Sequence, residues 1–394
     1  MATIYDYWLC SIPGVGNRSI DRLLALCGNA EQIYRASKEV LAEVLSERKL
    51  EELEKLRKGW NLPEEFERLK EQGIRFITRE DAEYPKRLKQ IPDAPYGIFY
   101  KGRLPEDDVL SVAVIGARDC SEYGRYVAEE LGKFLGSSGV QVISGMARGI
   151  DGISQDAALR AGGTTTAVLG SGVDVCYPVQ NKKLYAKILE QGCIMSSYPP
   201  GTMARSQNFP PRNRIVSGLA DVVVVIEARN KSGTLITVDM ALEQGKEVYV
   251  VPGRITDRLS DGCNKLLKQG AGILLSPYDF LEEIRELWHG QQIYGKNAGC
   301  ENEQDVKENT NRNTERNTEN NKKLNLQATC RHISLPQDLQ KIYNLLDFTP
   351  QSTEQLMGKS GGTLTITELN TRLMRLCLQN LATQQSPGHF SLKR

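Results

Sequence analysis

Between residues 108 and 288 near-continuous apolar runs alternate with amphipathic stretches, and this alternation restricts the possible folds more than anything else in the chain. The segments 109–115, 140–143, 164–169, 193–197, 221–226, 247–251 and 272–275 read as strands, the first helix between them as 122–137. A sheet wet on one face would show polar residues at every second position. These runs do not, so both faces must be covered, and the intervening helices supply the cover. The expectation is an α/β fold, a Rossmann-like doubly wound parallel sheet over 108–288.

The flanking regions have a different texture. Residues 1–80 read as helical, with segments at 5–11, 17–27, 40–46, 50–58 and 64–72. Between the first two lies Ile12-Pro13-Gly14-Val15-Gly16. This tight turn resembles the hairpin of helix-hairpin-helix (SAM-like) modules, whose glycines let backbone N–H groups approach a phosphate; a plain connecting turn is the other reading. Residues 81–107 form a lead-in segment. Residues 289–332 form an Asn-rich linker, expected to be disordered because a polar, repetitive run such as 308–320 cannot bury enough apolar surface to fold. Residues 333–394 offer helices at 339–346, 353–357 and 366–381 and a hairpin over 384–392, the pattern of a C-terminal winged-helix domain, with a small bundle and a frayed tail as the alternative.

Composition narrows the function. The 50 Lys and Arg nearly cancel the 49 Asp and Glu, leaving +1, so any basic site must be local. The nine cysteines are odd in number and contain no CxxC pair, which argues against a disulfide framework or zinc knuckle and for a reducing compartment. With no signal-like start and no apolar run near the ~20 residues of a membrane span, a cytoplasmic protein without membrane contact is expected. The three histidines, His289, His332 and His389, all lie outside the α/β region, which disfavours a Ser–His or metal–His hydrolase.

In doubly wound sheets ligands sit beyond the carboxyl ends of the strands. Here those ends carry Gly116-Ala117-Arg118, Ser144-Gly145, Gly170-Ser171-Gly172 and Ser232-Gly233-Thr234, with Arg118, Arg148, Lys182, Lys183, Arg212 and Arg214 nearby. Small residues admit a backbone or phosphate, and arginine offers planar donors to it. The first turn lacks the second glycine of a dinucleotide fingerprint and there is no P-loop, so a mononucleotide or polynucleotide remains. The run Phe209-Pro210-Pro211-Arg212-Asn213-Arg214 reads as a proline-stiffened loop that sets an aromatic ring beside two arginines. Stacking on such a ring is worth ~1–3 kcal/mol per base whatever the sequence, which favours single-stranded DNA; packing of Phe209 into the core is the competing reading.

Several long strings in fixed order resemble the DprA/Smf family of bacterial DNA-processing proteins. They are Ser144-Gly145-Met146-Ala147-Arg148-Gly149-Ile150-Asp151, Val168-Leu169-Gly170-Ser171-Gly172-Val173-Asp174, Tyr198-Pro199-Pro200-Gly201, the Phe209 to Arg214 run, Ser232-Gly233-Thr234-Leu235-Ile236-Thr237 and Ala241-Leu242-Glu243-Gln244-Gly245. The resemblance implies a recombination mediator that binds and protects incoming single-stranded DNA in natural transformation and helps load RecA recombinase. It implies a homodimer, no cofactor and no catalytic group. It carries DNA contacts onto Gly116, Ala117, Arg118, Ser144, Gly145, Lys182, Lys183, Phe209, Arg212 and Arg214. Apolar positions at about 259–285 are candidates for the dimer and RecA surfaces. Gln155 and Ser197 depart from the family, which often has His and Glu there. Two other readings stand beside this one. The core also resembles nucleotide phosphoribohydrolases of the lysine-decarboxylase-like group, but Thr237 occupies the place of their catalytic Glu. A ligand-free interaction scaffold is the third.

Overall fold

The computed structural model describes residues 1–297 and, towards the C-terminus, 351–359, 365–378, 382–386, 389–392 and isolated positions between 339 and 346; for 289–297 only the backbone is described. The chain divides into two units at residue 301.

The first unit opens with six helices, α1 Ile4–Ser11, α2 Asn17–Cys27, α3 Ala30–Arg35, α4 Lys38–Leu41, α5 Glu47–Gly59 and α6 Leu62–Glu71. A capping box of Thr3 and Asp6 starts α1, satisfying donors that the first turn leaves open. Helical spacing puts Ile20 and Leu23 of α2 and Leu50 and Leu53 of α5 on one cluster with Trp8 and Leu9. The helix expected over 40–46 is instead the single turn α4 followed by turns.

The sheet has nine strands, β1 Arg75–Thr78, β2 Gly97–Gly102, β3 Ser111–Ile115, β4 Gln141–Ser144, β5 Thr165–Val168, β6 Cys193–Ser196, β7 Val222–Val225, β8 Glu247–Val250 and β9 Gly272–Ile273. Their spatial order is β1-β2-β6-β5-β4-β3-β7-β8-β9. From β6 to β9 all neighbours are parallel; β2 joins antiparallel to β6 and carries β1 antiparallel on its far side. The sheet therefore begins at Arg75, not near residue 108: part of the expected helical region and of the lead-in segment belongs to it. β1 is too short to show a period, and β2 is a brief apolar run between glycines, so neither announces itself in the sequence.

The remaining helices are α7 Lys86–Lys89, α8 Glu122–Ser137, α9 Ile150–Arg160, α10 Lys182–Gln191, α11 Phe209–Leu219, α12 Gly233–Glu243, α13 Asp261–Lys268 and α14 Pro277–Asn297. Successive strand residues point to opposite faces. Val112, Val114, Val142 and Val224 pack with Leu131 and Leu135 of α8 and Ile284 of α14. Ala113, Ile115, Ile143, Val223 and Val225 pack with Ile215 of α11, Val238 of α12 and Leu266 of α13. Both faces are thus buried under helices, which is why the strands tolerate no polar alternation. Among the described residues no helix is long and apolar enough to cross a membrane.

In the second unit a three-stranded antiparallel sheet, β10 Gln351–Ser352, β11 Ala382–Ser386 and β12 His389–Leu392, has β12 in the middle. Helices Thr353–Lys359 and Ile366–Leu378 place Leu356, Leu369, Leu373 and Leu376 against Phe390. The expected helix over 339–346 falls only partly on described positions. Of the expected linker, 289–297 continue α14, and the rest lies outside the described residues.

Candidate nucleic-acid interface

The carboxyl ends of β3, β4, β5 and β7 converge on one edge, with β4 on one side of β3 and β7 on the other. The chain leaves β3 for β4 in one direction and later returns beside β3 as β7, so the crossovers diverge there and the edge opens.

The run 209–214 is not a loop but the start of α11. Proline suits a first helical turn, where its missing N–H has no partner to lose and its fixed φ is already helical. The helical turn decides which side chains meet. A helix turns about 100° per residue, so residues 209 and 212 share a face while 214 points nearly opposite to 212. Accordingly Arg212 lies under Phe209, whereas Arg214 leaves this edge altogether: it pairs with Glu243 at 2.8 Å and donates to the Pro92 carbonyl at 3.3 Å.

Arg212 is only 4% exposed. Its Nη1 donates to the carbonyls of Gly145 and Val168, both at 2.6 Å, and its Nε to Asn213 Oδ1 at 3.1 Å. It therefore ties the ends of β4 and β5 to α11 rather than offering a free cation. Burial pushes its pKa down to about 10, so it stays charged at neutral pH. The buried Asp151 carboxylate accepts the Gly145 N–H at 3.2 Å; burial raises its pKa, against the pull of the Arg212 charge. Ser144 is likewise buried and donates to the Val114 carbonyl at 2.6 Å. Ser144 and Arg212 thus build the edge without exposing their polar groups, while Gly145 opens onto it.

Phe209 is half-buried and belongs to no core cluster. Arg118 Cζ stands 5.1 Å from its ring centroid and Arg212 Cζ 5.6 Å, both within cation–π range. The ring lies on Gly170, where an added Cβ would meet Phe209 Cδ1 at 2.9 Å. Tyr177, 44% exposed, brings its ring to 5.8 Å from that of Phe209. The sequence does not mark Tyr177, which follows Val175-Cys176 in the stretch between β5 and α10 and reads as the tail of an apolar run.

Three clefts meet at exposed Arg118. One of about 540 Å³ is lined by Gly116, Ala117, Asp151, Arg212 and the Ser232-Gly233-Thr234 start of α12. A second, about 330 Å³, holds Gly170, Ser171, Tyr177 and Arg148. The third, about 790 Å³, is bordered by Arg125, Arg148, Arg160, Lys183 and Lys187 against Asp119, Glu129 and Asp156. Lys182 and Lys183 are exposed in the first turn of α10, and Lys183 borders this third cleft while Lys182 borders none of the three. Of the expected contacts, then, Gly116, Ala117, Arg118, Gly145, Lys183 and Phe209 face one continuous edge; Arg212 and Ser144 support it from within, Lys182 flanks it, and Arg214 lies elsewhere.

The Gly116-Ala117-Arg118 turn is held by α9. Gly149, its N-cap, has φ +74°, and the Ile150 N–H donates to the Ala117 carbonyl at 3.2 Å. A Cβ on Gly149 would fall 2.3 Å from that carbonyl oxygen. Gly149→Ala should therefore cost about 2–4 kcal/mol of stability, from the left-handed backbone and the clash together, measured by denaturant unfolding.

Fold and edge together define a doubly wound α/β protein with an open cationic rim at its switch point. The model of the family described as DNA recombination-mediator protein A matches residues 75–285, and the chain belongs to that family. It is 44% identical over 201 residues to DNA processing protein DprA of Streptococcus pneumoniae, covering 51% of this chain and 71% of that one. The X-ray structure of DNA processing protein A from the same organism superposes with a TM-score of 0.63 at 36% identity, over 72% of this chain and 98% of that one. A structure of DNA processing protein A from Helicobacter pylori, described for its single-stranded DNA binding mode, shows a TM-score of 0.49 at 30% identity, over 54% of this chain and 96% of that one.

Proposed function

We propose that this protein binds single-stranded DNA along the rim and serves recombination as a mediator, with no catalytic step of its own. The observation that carries the reading is the half-buried Phe209 ring, flanked by the Arg118 and Arg212 guanidinium groups where three clefts meet. Such a ring takes the face of an unstacked base, which a duplex does not offer, while the exposed Arg118 guanidinium beside it takes a phosphate. The lysines of α10 add weight. Two positive charges in a first turn with no acid oppose the helix dipole, at about 0.3–1 kcal/mol each, a cost that a bound polyanion offsets. Against an enzyme, Thr237 is buried in α12 where the phosphoribohydrolase-like reading needs a carboxylate, and Asp151 is engaged with the Gly145 N–H. The proposal extends to a cytoplasmic homodimer that helps load RecA recombinase during natural transformation, and to a winged-helix fold for the C-terminal unit. Exposed Ile273 and Leu275 support a dimer or RecA surface within 259–285.

The double change Lys182→Gln/Lys183→Gln tests the electrostatic half. Titration of oligothymidylate at several salt concentrations should show log K against log salt flattened by roughly 1.4, about 0.7 per lost phosphate contact on a single strand. An unchanged slope and affinity would remove these lysines from the DNA path.

A further inference from the structure

We infer that the bound strand does not end at the rim but continues over Pro210 into a second groove, where Lys49 and Arg205 hold its phosphodiester backbone. The inference rests on the rim reading and extends it to a surface that the α/β core alone does not form. The groove, about 970 Å³, runs between the Ile12–Gly16 turn of the helical region and residues 199–208 of the core. Pro210 borders both this groove and the 540 Å³ rim cleft, so the two lie on either side of that one residue.

Its charge balance favours an anion. Arg18, Lys49, Arg205 and Arg214 border it, against one carboxylate, Asp93. Arg18 is committed to Asp93 at 2.8 Å and Arg214 to Glu243 at 2.8 Å. Lys49 only donates to Ser19 Oγ at 3.2 Å, and Arg205 is exposed; neither is in an ion pair among the described residues. The two uncompensated cations come from opposite walls, one from α5 and one from the segment before α11, which suits an extended polyanion lying between them. The wall at the turn is open backbone: Pro13, Gly14 and Gly16 are exposed, and nothing lies within 4 Å of where a Cβ on either glycine would sit. Exposed Met203 adds an adaptable apolar surface on the core side.

The test compares short and long oligothymidylate, about 6 and about 16 nucleotides, on the full chain, within the span over which single-strand sites are sized. The Lys49→Gln/Arg205→Gln variant should bind the short strand like the unmodified protein, bind the long strand roughly five- to tenfold more weakly, and lose about 1.4 of the salt slope on the long strand only. Arg205 is exposed and Lys49 is half-buried with one hydrogen bond, to Ser19, so the melting temperature should fall by no more than a few degrees. A second measurement needs no variant: Lys49 should be shielded from amine acylation by the long strand and not by the short one. The inference is overturned if the long strand binds the variant unchanged, or if Lys49 stays reactive under saturating long strand, while Arg118→Ala still weakens both lengths. If Arg118→Ala weakens neither length, the rim reading itself has failed.

Discussion

Replacing Arg212 with Met is expected to lower the unfolding free energy by about 3–5 kcal/mol, although the residue sits beside the proposed DNA path and resembles a ligand contact in sequence. Methionine fills much of the space but donates nothing. The Gly145 and Val168 carbonyls, each now accepting at 2.6 Å, would be stranded, and an unsatisfied buried acceptor costs about 1–3 kcal/mol. Asp151 would lose the one charge that offsets its burial most. Its folded pKa is already raised above the unfolded value, so the folded state binds the proton more tightly. Stability from this group is therefore greatest in acid and falls as pH rises from the unfolded pKa through the folded one. Loss of Arg212 raises the folded pKa further and widens that window, so the deficit of Arg212→Met should shrink as pH drops towards about 4. Adding Asp151→Asn should recover part of the loss at neutral pH. Chemical denaturation of the single and double variants across pH reads all three effects; equal deficits at every pH would mean that the Asp151 charge plays no part.

The second large effect is on binding. Phe209→Ala should weaken single-stranded DNA by roughly 10- to 100-fold, the loss of one base stack at ~1–3 kcal/mol together with the disordering of Arg118, which now lies 5.1 Å from the ring centroid. Phe209→Trp, which keeps a flat ring, should retain most of the affinity. Fluorescence anisotropy with a labelled oligothymidylate separates the possibilities. If Phe209→Ala binds normally and is merely less stable, the ring is packing material over Gly170 and no more.

The strands of the α/β core were legible because burial on both faces leaves a run of apolar residues that a helix or a solvated sheet would not. Two members of the sheet left no such trace: β1 is an edge strand of four residues starting with Arg75, and β2 hides between Gly97 and Gly102. The glycine turns at strand ends were legible for a related reason, since the open edge needs small residues just where the strands stop. Side-chain direction was not. Reading 209–214 as a loop placed Phe209, Arg212 and Arg214 together; as the first turn of α11 the same residues divide into one facing the rim, one buried beneath it and one facing another groove. Proline marks both loops and first helical turns, and only the contacts around it distinguish them. Tyr177 was missed because its nearness to Phe209 depends on the path of the chain between β5 and α10, which no local pattern encodes.

The central claim is that a single strand lies across the Arg118–Phe209 rim, with bases against the aromatic rings. Photo-crosslinking of the full chain to an oligonucleotide carrying halogenated uracils, followed by mass spectrometric mapping of the modified residues, tests it most directly. Crosslinks at Phe209 and Tyr177 are the expected result. Efficient crosslinking confined to residues 353–392, with the rim unmodified at saturating DNA, would contradict it.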